Sequence, residues 1–269
     1  MTDDTEQMLI VADLLIKHGE IPPREFANAL TQWEETMIAK GSLDLLGPST
    51  KAAIAAIAAG KSTAESGQYG TTNGAAMRIA PVGIYYSATN LETFVERVHH
   101  ASSVTHNTSL GISAAAAVAA AISAGIDGAH RTESVAIALD AARLGETYGH
   151  HVPGPSIAGR LPYAIELAKK SSDLADLLYN VVGTTLASQE SVVAALTIVA
   201  VVSDPWDGLC LAANCGGDTD TIGAIAGSIY GAIYGLEAFP RDAITTIDAV
   251  NNLNLTDTAA KLISRRRTP

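Results

Sequence analysis

Apolar residues recur at intervals of three or four along most of the chain, which is the spacing of a helix face. Ahead of Gly19 this pattern predicts a helix over residues 5–18, because glycine is favoured just past a helix end. Prolines start two further helices, one over residues 22–39 and one over residues 48–60. The N-terminal part of the chain is therefore predicted to be helical.

The helical pattern stops between residues 60 and 90, where Gly, Ser, Thr and Tyr replace the apolar positions and we expect a long loop. Asn90 can cap the next helix, which we place up to Val98. A second loop, over residues 149–155, holds His150 and His151. Helical spacing predicts the remaining helices at 107–125, 132–148, 158–169, 172–180, 188–202, 206–213, 219–236, 240–251 and 256–265.

The order of elements predicts the fold class. Strands do not alternate with helices anywhere in the pattern, and neither an internal repeat nor a low-complexity tract interrupts it. Hydrophobic residues make up 48% of the chain but aromatic residues only 5%, so the core must consist mainly of small aliphatic side chains. We predict an all-α fold, a single compact domain of about ten or more helices over residues 1–269.

The charge of the chain limits the kinds of partner. Seventeen basic and 28 acidic residues give a net charge of -11, which repels phosphate backbones, so we expect no nucleic-acid partner. The only basic run, Arg265-Arg266-Arg267, is interpreted as a solvated helix end. The chain starts with acidic residues where a signal peptide would be basic, and it has only two cysteines. Both features favour the cytoplasm.

One uncharged stretch, residues 107–126, is long enough to cross a bilayer. However, it contains asparagine, threonine and serine among its alanines, and it lacks the flanking aromatic and basic residues of a membrane span. We therefore interpret it as a buried central helix and expect no membrane partner.

The sharpest chemical signal is an Asp- and Thr-rich turn, Gly216-Gly217-Asp218-Thr219-Asp220-Thr221. It places two carboxylates and two hydroxyls at a helix start, where an ordinary cap needs one such side chain. Mg²⁺ and Mn²⁺ bind several oxygen ligands, and the alternate residues Asp218 and Asp220 can point at one ion. The turn therefore predicts a metal site.

The helix after this turn carries glycine at every fourth position, at 223, 227, 231 and 235. Each glycine costs about 1 kcal/mol of helix propensity relative to alanine, so the bare stripe must have a packing reason. We predict that another helix lies against the whole stripe and holds the aspartates rigidly.

A second acidic cluster, Thr2-Asp3-Asp4-Thr5, opens the first predicted helix. Taken alone, such a cluster is typical of a solvated chain end or a helix cap. If it meets the turn at 216–221 in the folded protein, four carboxylates could hold two cations roughly 3.5–4 Å apart. Such a pair of ions activates water and orients an oxygen-rich substrate.

Between the two clusters lies a glycine-rich segment, Gly67-Gln68-Tyr69-Gly70-Thr71-Thr72-Asn73-Gly74-Ala75-Ala76-Met77-Arg78. Glycines let backbone N–H groups approach a diphosphate, and a tyrosine in a loop can stack on a base or a ribose. Further along, Val104-Thr105-His106 ends with a histidine close to a predicted helix. Taken alone, the first segment is most often a turn and the histidine a satisfied polar side chain.

Together these segments resemble the ADP-ribosylglycohydrolase family, and the resemblance covers nearly the whole chain. It implies a compact all-α fold with two Mg²⁺ or Mn²⁺ ions, and it implies that Asp3 or Asp4 orients the attacking water. The implied metal ligands are Thr2, Asp3, Asp4, Asp218, Asp220 and Thr221. The implied substrate contacts are Gly67, Tyr69, Gly70, Asn73, Gly74 and His106.

The activity that this resemblance implies is hydrolysis of the glycosidic bond between ADP-ribose and an acceptor. The expected partner is an ADP-ribosylated protein or a small ADP-ribose conjugate. Two other hypotheses stay open: a catalytically silent ADP-ribose-binding or structural homologue, and a two-metal hydrolase of a free nucleotide or nucleoside.

The chain departs from the family pattern at two places. Family members usually have a further N-terminal segment with a metal-reaching glutamate, whereas Met1 stands directly before Thr2 here. Glu6 is one turn into the first helix, and its side chain need not point at the metals. Thr72 stands before Asn73, where the family commonly has glycine, so we expect a wider or shifted loop at this position.

Overall fold

An alanine-rich helix, Ser109–Ile126, lies at the centre of the protein, and several other helices pack around it. Its residues 109–125 are all buried. The helix is long and apolar enough to cross a membrane, yet 94% of it is buried inside the protein, as is common for core helices. The prediction of a buried central helix is therefore confirmed.

The computed structural model describes residues 1–42 and 46–267. Within them the chain forms fifteen α-helices and no β-strand, only isolated bridges. This confirms the all-α prediction. The helices are α1 Asp3–His18, α2 Pro23–Ala39, α3 Pro48–Ala58, α4 Gly74–Met77, α5 Ala80–Tyr85, α6 Leu91–His106, α7 Ser109–Ile126, α8 Arg131–Gly145, α9 Ile157–Ala168, α10 Leu174–Leu177, α11 Ser188–Val201, α12 Pro205–Asn214, α13 Thr219–Tyr234, α14 Arg241–Asn251 and α15 Leu255–Ile263.

Small residues allow close packing around α7. A Cβ atom on Gly125 would lie 2.8 Å from the Ile233 side chain of α13, and one on Gly145 would lie 2.8 Å from the Ser113 Cα. Alanine-rich helices can pack this closely because few of their side chains extend far from the backbone. The core therefore consists mainly of small aliphatic residues, as the composition indicated.

The predicted loop over residues 60–90 is wrong in part, because it contains the short helices α4 and α5. Pro81 stands in the first turn of α5, where proline favours a helix start. Helix α6 also continues to His106 rather than ending at Val98, since its buried face extends through Ala101 and Val104. The predicted helix over 172–180 is only α10 followed by one π-helical turn.

The glycine stripe of α13 is covered only in its first half. A Cβ atom added to Gly223 would lie 4.0 Å from Ala212, and one added to Gly227 would lie 3.3 Å from Leu209. Ala212 and Leu209 both belong to α12. The prediction that a helix covers the whole stripe is wrong, since a Cβ on Gly231 would meet nothing within 4 Å among the described residues. Beyond Gly227, α12 lies against the Tyr230 ring instead of the stripe, since a Cβ on Gly208 would lie 2.6 Å from that ring. The last glycine of the series lies beyond the helix end.

The basic run at the C-terminus is not simply a solvated helix end. The Arg266 side chain is only 14% exposed, and it donates to the backbone carbonyls of Gly83, Ile84 and Tyr86. It also forms an ion pair with Asp127 at 2.7 Å. This arginine therefore holds the end of the chain against α5 and the C-terminal end of α7.

Candidate active site

The two acidic clusters meet at one end of the protein. Helix α1 begins at Asp3 and helix α13 begins at Thr219, so both helices direct their N-terminal residues to the same place. Carboxylate oxygens of Asp3, Asp4 and Asp220 lie within 4.8 Å of one another. Helix N-termini also favour negative charge, because their free N–H groups give them partial positive charge.

Two glycines shape the turn ahead of α13. Gly216 and Gly217 have φ angles of 78° and 75°, a left-handed conformation that glycine adopts without strain. A Cβ atom on Gly217 would lie 2.3 Å from the Thr184 carbonyl oxygen, which accepts a hydrogen bond of 2.7 Å from Asp218 N–H. Only glycine at this position lets the turn pack against residue 184.

Hydrogen bonds hold the carboxylates in place. Thr2 Oγ1 donates to Asp4 Oδ2 at 2.8 Å, and Asn73 Nδ2 donates to Asp218 Oδ2 at 2.5 Å. Thr221 is buried beside Asp4 and Asp218, and its hydroxyl favours the charged form of both. The six residues implied as ligands therefore lie in one hydrogen-bonded cluster or beside it.

Burial, and then repulsion between neighbouring carboxylates, makes negative charge unfavourable in this cluster. Burial, and then the neighbouring charges of Asp4 and Asp220, raise the pKa of Asp3 to about 7. Burial also raises the pKa values of Asp4 and Asp218 above the usual range of a carboxyl group. A divalent cation among these side chains would stabilise their charged forms against both burial and mutual repulsion.

One oxygen of this cluster points to a cation more directly than the others. Asp4 Oδ1 is buried and has no hydrogen-bond partner within the described part of the chain. A buried carboxylate oxygen without a partner is costly, and it is the kind of hard donor that Mg²⁺ and Mn²⁺ prefer. The donor set therefore fits such an ion.

A cleft of about 330 Å³ opens beside the acidic cluster. It joins the carboxylates to the glycine-rich segment and to residues just before and within α3. Its lining residues are Asp3, Leu46, Gly47, Pro48, Thr50, Thr72, Asn73, Gly74, Met77, Leu186, Asp218, Asp220 and Thr221.

The glycines at 67 and 70 have a packing role that the sequence did not reveal. A Cβ atom added to Gly67 would lie 2.2 Å from the Ser103 carbonyl oxygen, and one added to Gly70 would lie 2.1 Å from the Thr105 carbonyl oxygen. The N–H of Gly70 donates back to the Gly67 carbonyl oxygen at 3.1 Å. These glycines let the loop lie against α6, and the Gly70 N–H is not available to a diphosphate.

The other predicted substrate contacts differ in how exposed they are and in whether they line the cleft. Asn73 and Gly74 line the cleft, but the Asn73 N–H donates to the Leu186 carbonyl oxygen. The Tyr69 side chain is 76% exposed on the surface. His106 is fully buried beneath Gly74, and its ring nitrogens bond to Thr72 and Thr105.

Two buried residues near the cluster, Gln7 and Arg78, were not predicted as site residues. Gln7 Nε2 donates to Asp3 Oδ2 at 3.3 Å, and Gln7 Oε1 accepts from Arg78 Nη1 at 2.6 Å. Gln7 stands one helical turn after Asp3, a spacing that places both side chains on one face of α1 and that could have revealed it. Glu6 accepts a hydrogen bond of 2.6 Å from Trp33 Nε1.

Comparison with known proteins decides the family. A family model described as ADP-ribosylglycohydrolase matches residues 1–269. The chain belongs to the ADP-ribosylglycohydrolase family. It is therefore an ADP-ribosylglycohydrolase-like hydrolase, and the acidic cluster agrees with the general metal dependence of that family.

Several relatives of this chain support the assignment to the family. The uncharacterized protein YegU of Escherichia coli is 36% identical over 99% of the chain and 81% of its own length. An ADP-ribosylarginine hydrolase of Pseudomonas putida is 29% identical over 91% of the chain and 62% of its own length. The ADP-ribosylhydrolase ARH3 of Danio rerio is 25% identical over 89% of the chain and 71% of its own length.

A solved structure has the same fold as this family member. It is described as an ADP-ribosylglycohydrolase-related protein complex and superposes with a TM-score of 0.71. The alignment covers 99% of this chain and 82% of the other, at 23% sequence identity. This likeness supports the all-α fold and carries no statement about substrate.

Proposed function

We propose that this protein hydrolyses the glycosidic bond between ADP-ribose and an acceptor, with two divalent cations, Mg²⁺ or Mn²⁺, bound at the acidic cluster. The observation that carries the proposal is the convergence of Asp3, Asp4 and Asp220 beside a cleft of about 330 Å³. Relatives named as ADP-ribosylarginine hydrolase and ADP-ribosylhydrolase indicate the class of substrate. That class is an ADP-ribosylated protein or a small ADP-ribose conjugate.

The residues that would hold the cations are the six of the two motifs. The carboxylates supply most of the oxygens, and Thr2 and Thr221 add hydroxyls to the ligand set. When bound, the cations would lower the pKa of a bound water and neutralise negative charge on the substrate. That neutralisation matters because the chain itself has a net charge of -11 and the substrate class carries a diphosphate.

The chain's own residues would orient the reactants. Asp3 lines the cleft, and Asp4 is buried in the same cluster; in the proposed reaction either would accept a hydrogen bond from the attacking water and orient it. Asn73 holds Asp218 through a hydrogen bond of 2.5 Å, which limits the movement of that carboxylate. Positioning of this kind lowers a reaction barrier by removing freedom before the reaction starts.

The test is an Asp220→Asn variant, measured by calorimetric titration with Mn²⁺ and by product analysis with ADP-ribosylated arginine and serine peptides. We expect the variant to lose metal affinity and turnover together. The matched control is Asp248→Asn, an exposed carboxylate on α14, which should leave both unchanged. Full turnover with unchanged Mn²⁺ affinity in Asp220→Asn would falsify the proposal.

The products separate this function from the two alternatives. Released ADP-ribose identifies the proposed reaction, whereas free base or phosphate identifies a hydrolase of nucleosides or nucleotides. Binding of ADP-ribose without any product identifies a silent homologue. The cytoplasmic location rests on the sequence alone and stays a prediction.

A further inference from the structure

A row of hydrogen-bonded side chains runs beneath the cleft from the acidic cluster to Thr72. Asp3 accepts a hydrogen bond from Gln7 Nε2. Gln7 Oε1 accepts from Arg78 Nη1 at 2.6 Å, and Arg78 Nη2 donates to Thr105 Oγ1. The His106 ring then bonds to Thr105 on one side and to Thr72 on the other. The four inner members are at most 1% exposed, and they are Gln7, Arg78, Thr105 and His106.

The cation in the middle of the row sets the direction of every bond. A guanidinium can only donate, so the Thr105 hydroxyl oxygen must accept from Arg78. The second partner of that hydroxyl within the described residues is His106 Nδ1, at 2.7 Å. If Nδ1 donated to this oxygen as well, the buried Thr105 hydroxyl hydrogen would have no acceptor among the described residues, which is costly. Every group is satisfied when this hydrogen points at Nδ1 and Nδ1 is the unprotonated ring nitrogen.

This arrangement places the hydrogen of the neutral imidazole on Nε2. His106 Nε2 lies 3.0 Å from Thr72 Oγ1, so the ring donates and the Thr72 hydroxyl accepts. Burial, and then the nearby Arg78 charge, lower the pKa of His106 well below its usual range, which keeps the ring neutral. A neutral ring is what this pattern of donors and acceptors requires.

The Thr72 hydroxyl hydrogen is consequently directed elsewhere. Within residues 1–42 and 46–267, His106 Nε2 is the one hydrogen-bond partner of this hydroxyl, and it occupies the acceptor side. Thr72 also lines the cleft, next to Asn73 and in the same cavity as the aspartates. A molecule in the cleft therefore faces a hydroxyl that is preset to donate.

We propose that Thr72 is a substrate-binding residue whose hydroxyl donates to a phosphate oxygen, and that Thr105 and His106 are positioning residues that fix this direction. The inference rests on the proposed function, in which the ligand is an ADP-ribose conjugate. A fixed donor bonds more strongly to a charged phosphate oxygen than to a neutral ribose hydroxyl, so it favours the diphosphate. The buried Arg78 guanidinium, connected to His106 through Thr105, also favours an anion in the cleft.

The first experiment measures binding of ADP-ribose, ADP and adenosine to the full chain with Mg²⁺ present. One hydrogen bond to a charged group is worth about 1.5–3 kcal/mol, so Thr72→Val should weaken ADP-ribose and ADP binding by roughly 10- to 100-fold. Adenosine binding and Mn²⁺ affinity should stay unchanged. Thr72→Ser keeps the donor and should restore affinity, and Thr246→Val on the exposed face of α14 is the matched control.

The outcomes separate this inference from the proposed function. Equal ADP-ribose affinity of the wild-type chain and Thr72→Val overturns the inference and leaves the proposed function in place. If ADP binds in a Thr72-dependent way but ADP-ribose does not bind at all, the proposed function fails and the inference stands. A wild-type chain that binds neither nucleotide overturns both.

A second measurement tests the direction of the row without any ligand. Nitrogen-15 NMR of the imidazole distinguishes a protonated ring nitrogen from an unprotonated one. We expect the His106 hydrogen on Nε2 and none on Nδ1 between about pH 6 and 8, since the ring stays neutral there. A hydrogen on Nδ1 would overturn the assignment of Thr72 as a preset donor.

Discussion

Asn73 Nδ2 and Asp218 Oδ2 form a hydrogen bond of 2.5 Å, although 145 positions separate the two residues in the chain. The same amide nitrogen donates to Ser191 Oγ at 2.9 Å. One side chain ahead of α4 therefore connects α11 with the turn ahead of α13. The position of Asp218 at the acidic cluster depends on this connection.

Replacement of Asn73 by alanine should weaken the cluster. The loss leaves Ser191 and Asp218 without their shared donor, so we expect the free energy of unfolding to fall by about 1–3 kcal/mol. We also expect lower Mn²⁺ affinity, because Asp218 gains freedom. Chemical denaturation and Mn²⁺ titration measure the two effects.

The matched control for this change is Asn180→Ala. Asn180 Nδ2 also donates to an aspartate, Asp176 Oδ1 at 2.7 Å, but this pair is exposed. Its loss should leave metal affinity unchanged. An Asn73→Ala variant with wild-type Mn²⁺ affinity would show that the hydrogen bond does not position Asp218.

The close contact of the glycine-rich loop with α6 leads to a second prediction. A Cβ atom on Gly70 would lie 2.1 Å from the Thr105 carbonyl oxygen, a backbone atom that cannot turn aside. Gly70→Ala should therefore shift the loop and lower the free energy of unfolding by roughly 1–3 kcal/mol. It should also weaken ADP-ribose binding, because Thr72 and Asn73 follow in the same loop.

Gly231 in the exposed part of the α13 stripe provides the control. A Cβ atom there would meet nothing within 4 Å among the described residues, and the position is inside a helix. Gly231→Ala should therefore stabilise the protein by about 0.5–1 kcal/mol. If both substitutions changed stability by the same amount, local packing at Gly70 would not explain the effect.

The sequence predicted the helices and the acidic cluster for a clear reason. Helical periodicity and the two Asp–Thr motifs are local patterns, and the family resemblance added that the motifs meet. Burial and direction of side chains depend instead on contacts that are distant in sequence. The His106 ring therefore could not be placed beneath the loop, and Gly67 could not be distinguished from a glycine that binds phosphate.

The contacts of the arginines Arg78 and Arg266 were the hardest to predict. Arg78 ends the quoted glycine-rich segment, yet only the folded chain brings Gln7 and Thr105 to its guanidinium. Arg266 was interpreted as solvated because three adjacent arginines usually are. Its carbonyl partners lie about 180 positions earlier, at Gly83 and Ile84, and no local pattern reveals them.

The Arg266 contacts give a third prediction. Arg266→Ala removes a partly buried guanidinium, its hydrogen bonds to the carbonyl oxygens of Gly83 and Ile84, and its ion pair with Asp127. We expect the free energy of unfolding to fall by about 2–4 kcal/mol, with Mn²⁺ affinity unchanged, because this residue does not line the cleft. Denaturant titration measures the change.

An exposed ion pair is the comparison for this arginine. Arg143 and Asp140 are 2.8 Å apart with both side chains more than half exposed, so Arg143→Ala should change stability by no more than about 0.5 kcal/mol. Equal effects of the two alanine substitutions would mean that the Arg266 contacts contribute little in solution.

The raised pKa of Asp3 makes the stability of the metal-free protein depend on pH. The pKa is about 7 in the folded chain and near 3.8 in the unfolded chain. Between these values the folded state holds a proton that the unfolded state has lost. Raising the pH from about 4 to about 7 should therefore lower the free energy of unfolding.

A bound cation reverses this trend, since it replaces the proton and removes the repulsion among the carboxylates. The shift in melting temperature on adding Mg²⁺ should therefore grow as pH rises from about 5 to about 7.5. Thermal melts in EDTA and in Mg²⁺ across this range measure both effects. In the metal-free Asp3→Asn variant the melting temperature should depend less on pH, whereas Asp248→Asn should keep the wild-type pH dependence. An unchanged pH dependence in Asp3→Asn would show that a different group holds the proton, because an amide at position 3 cannot titrate.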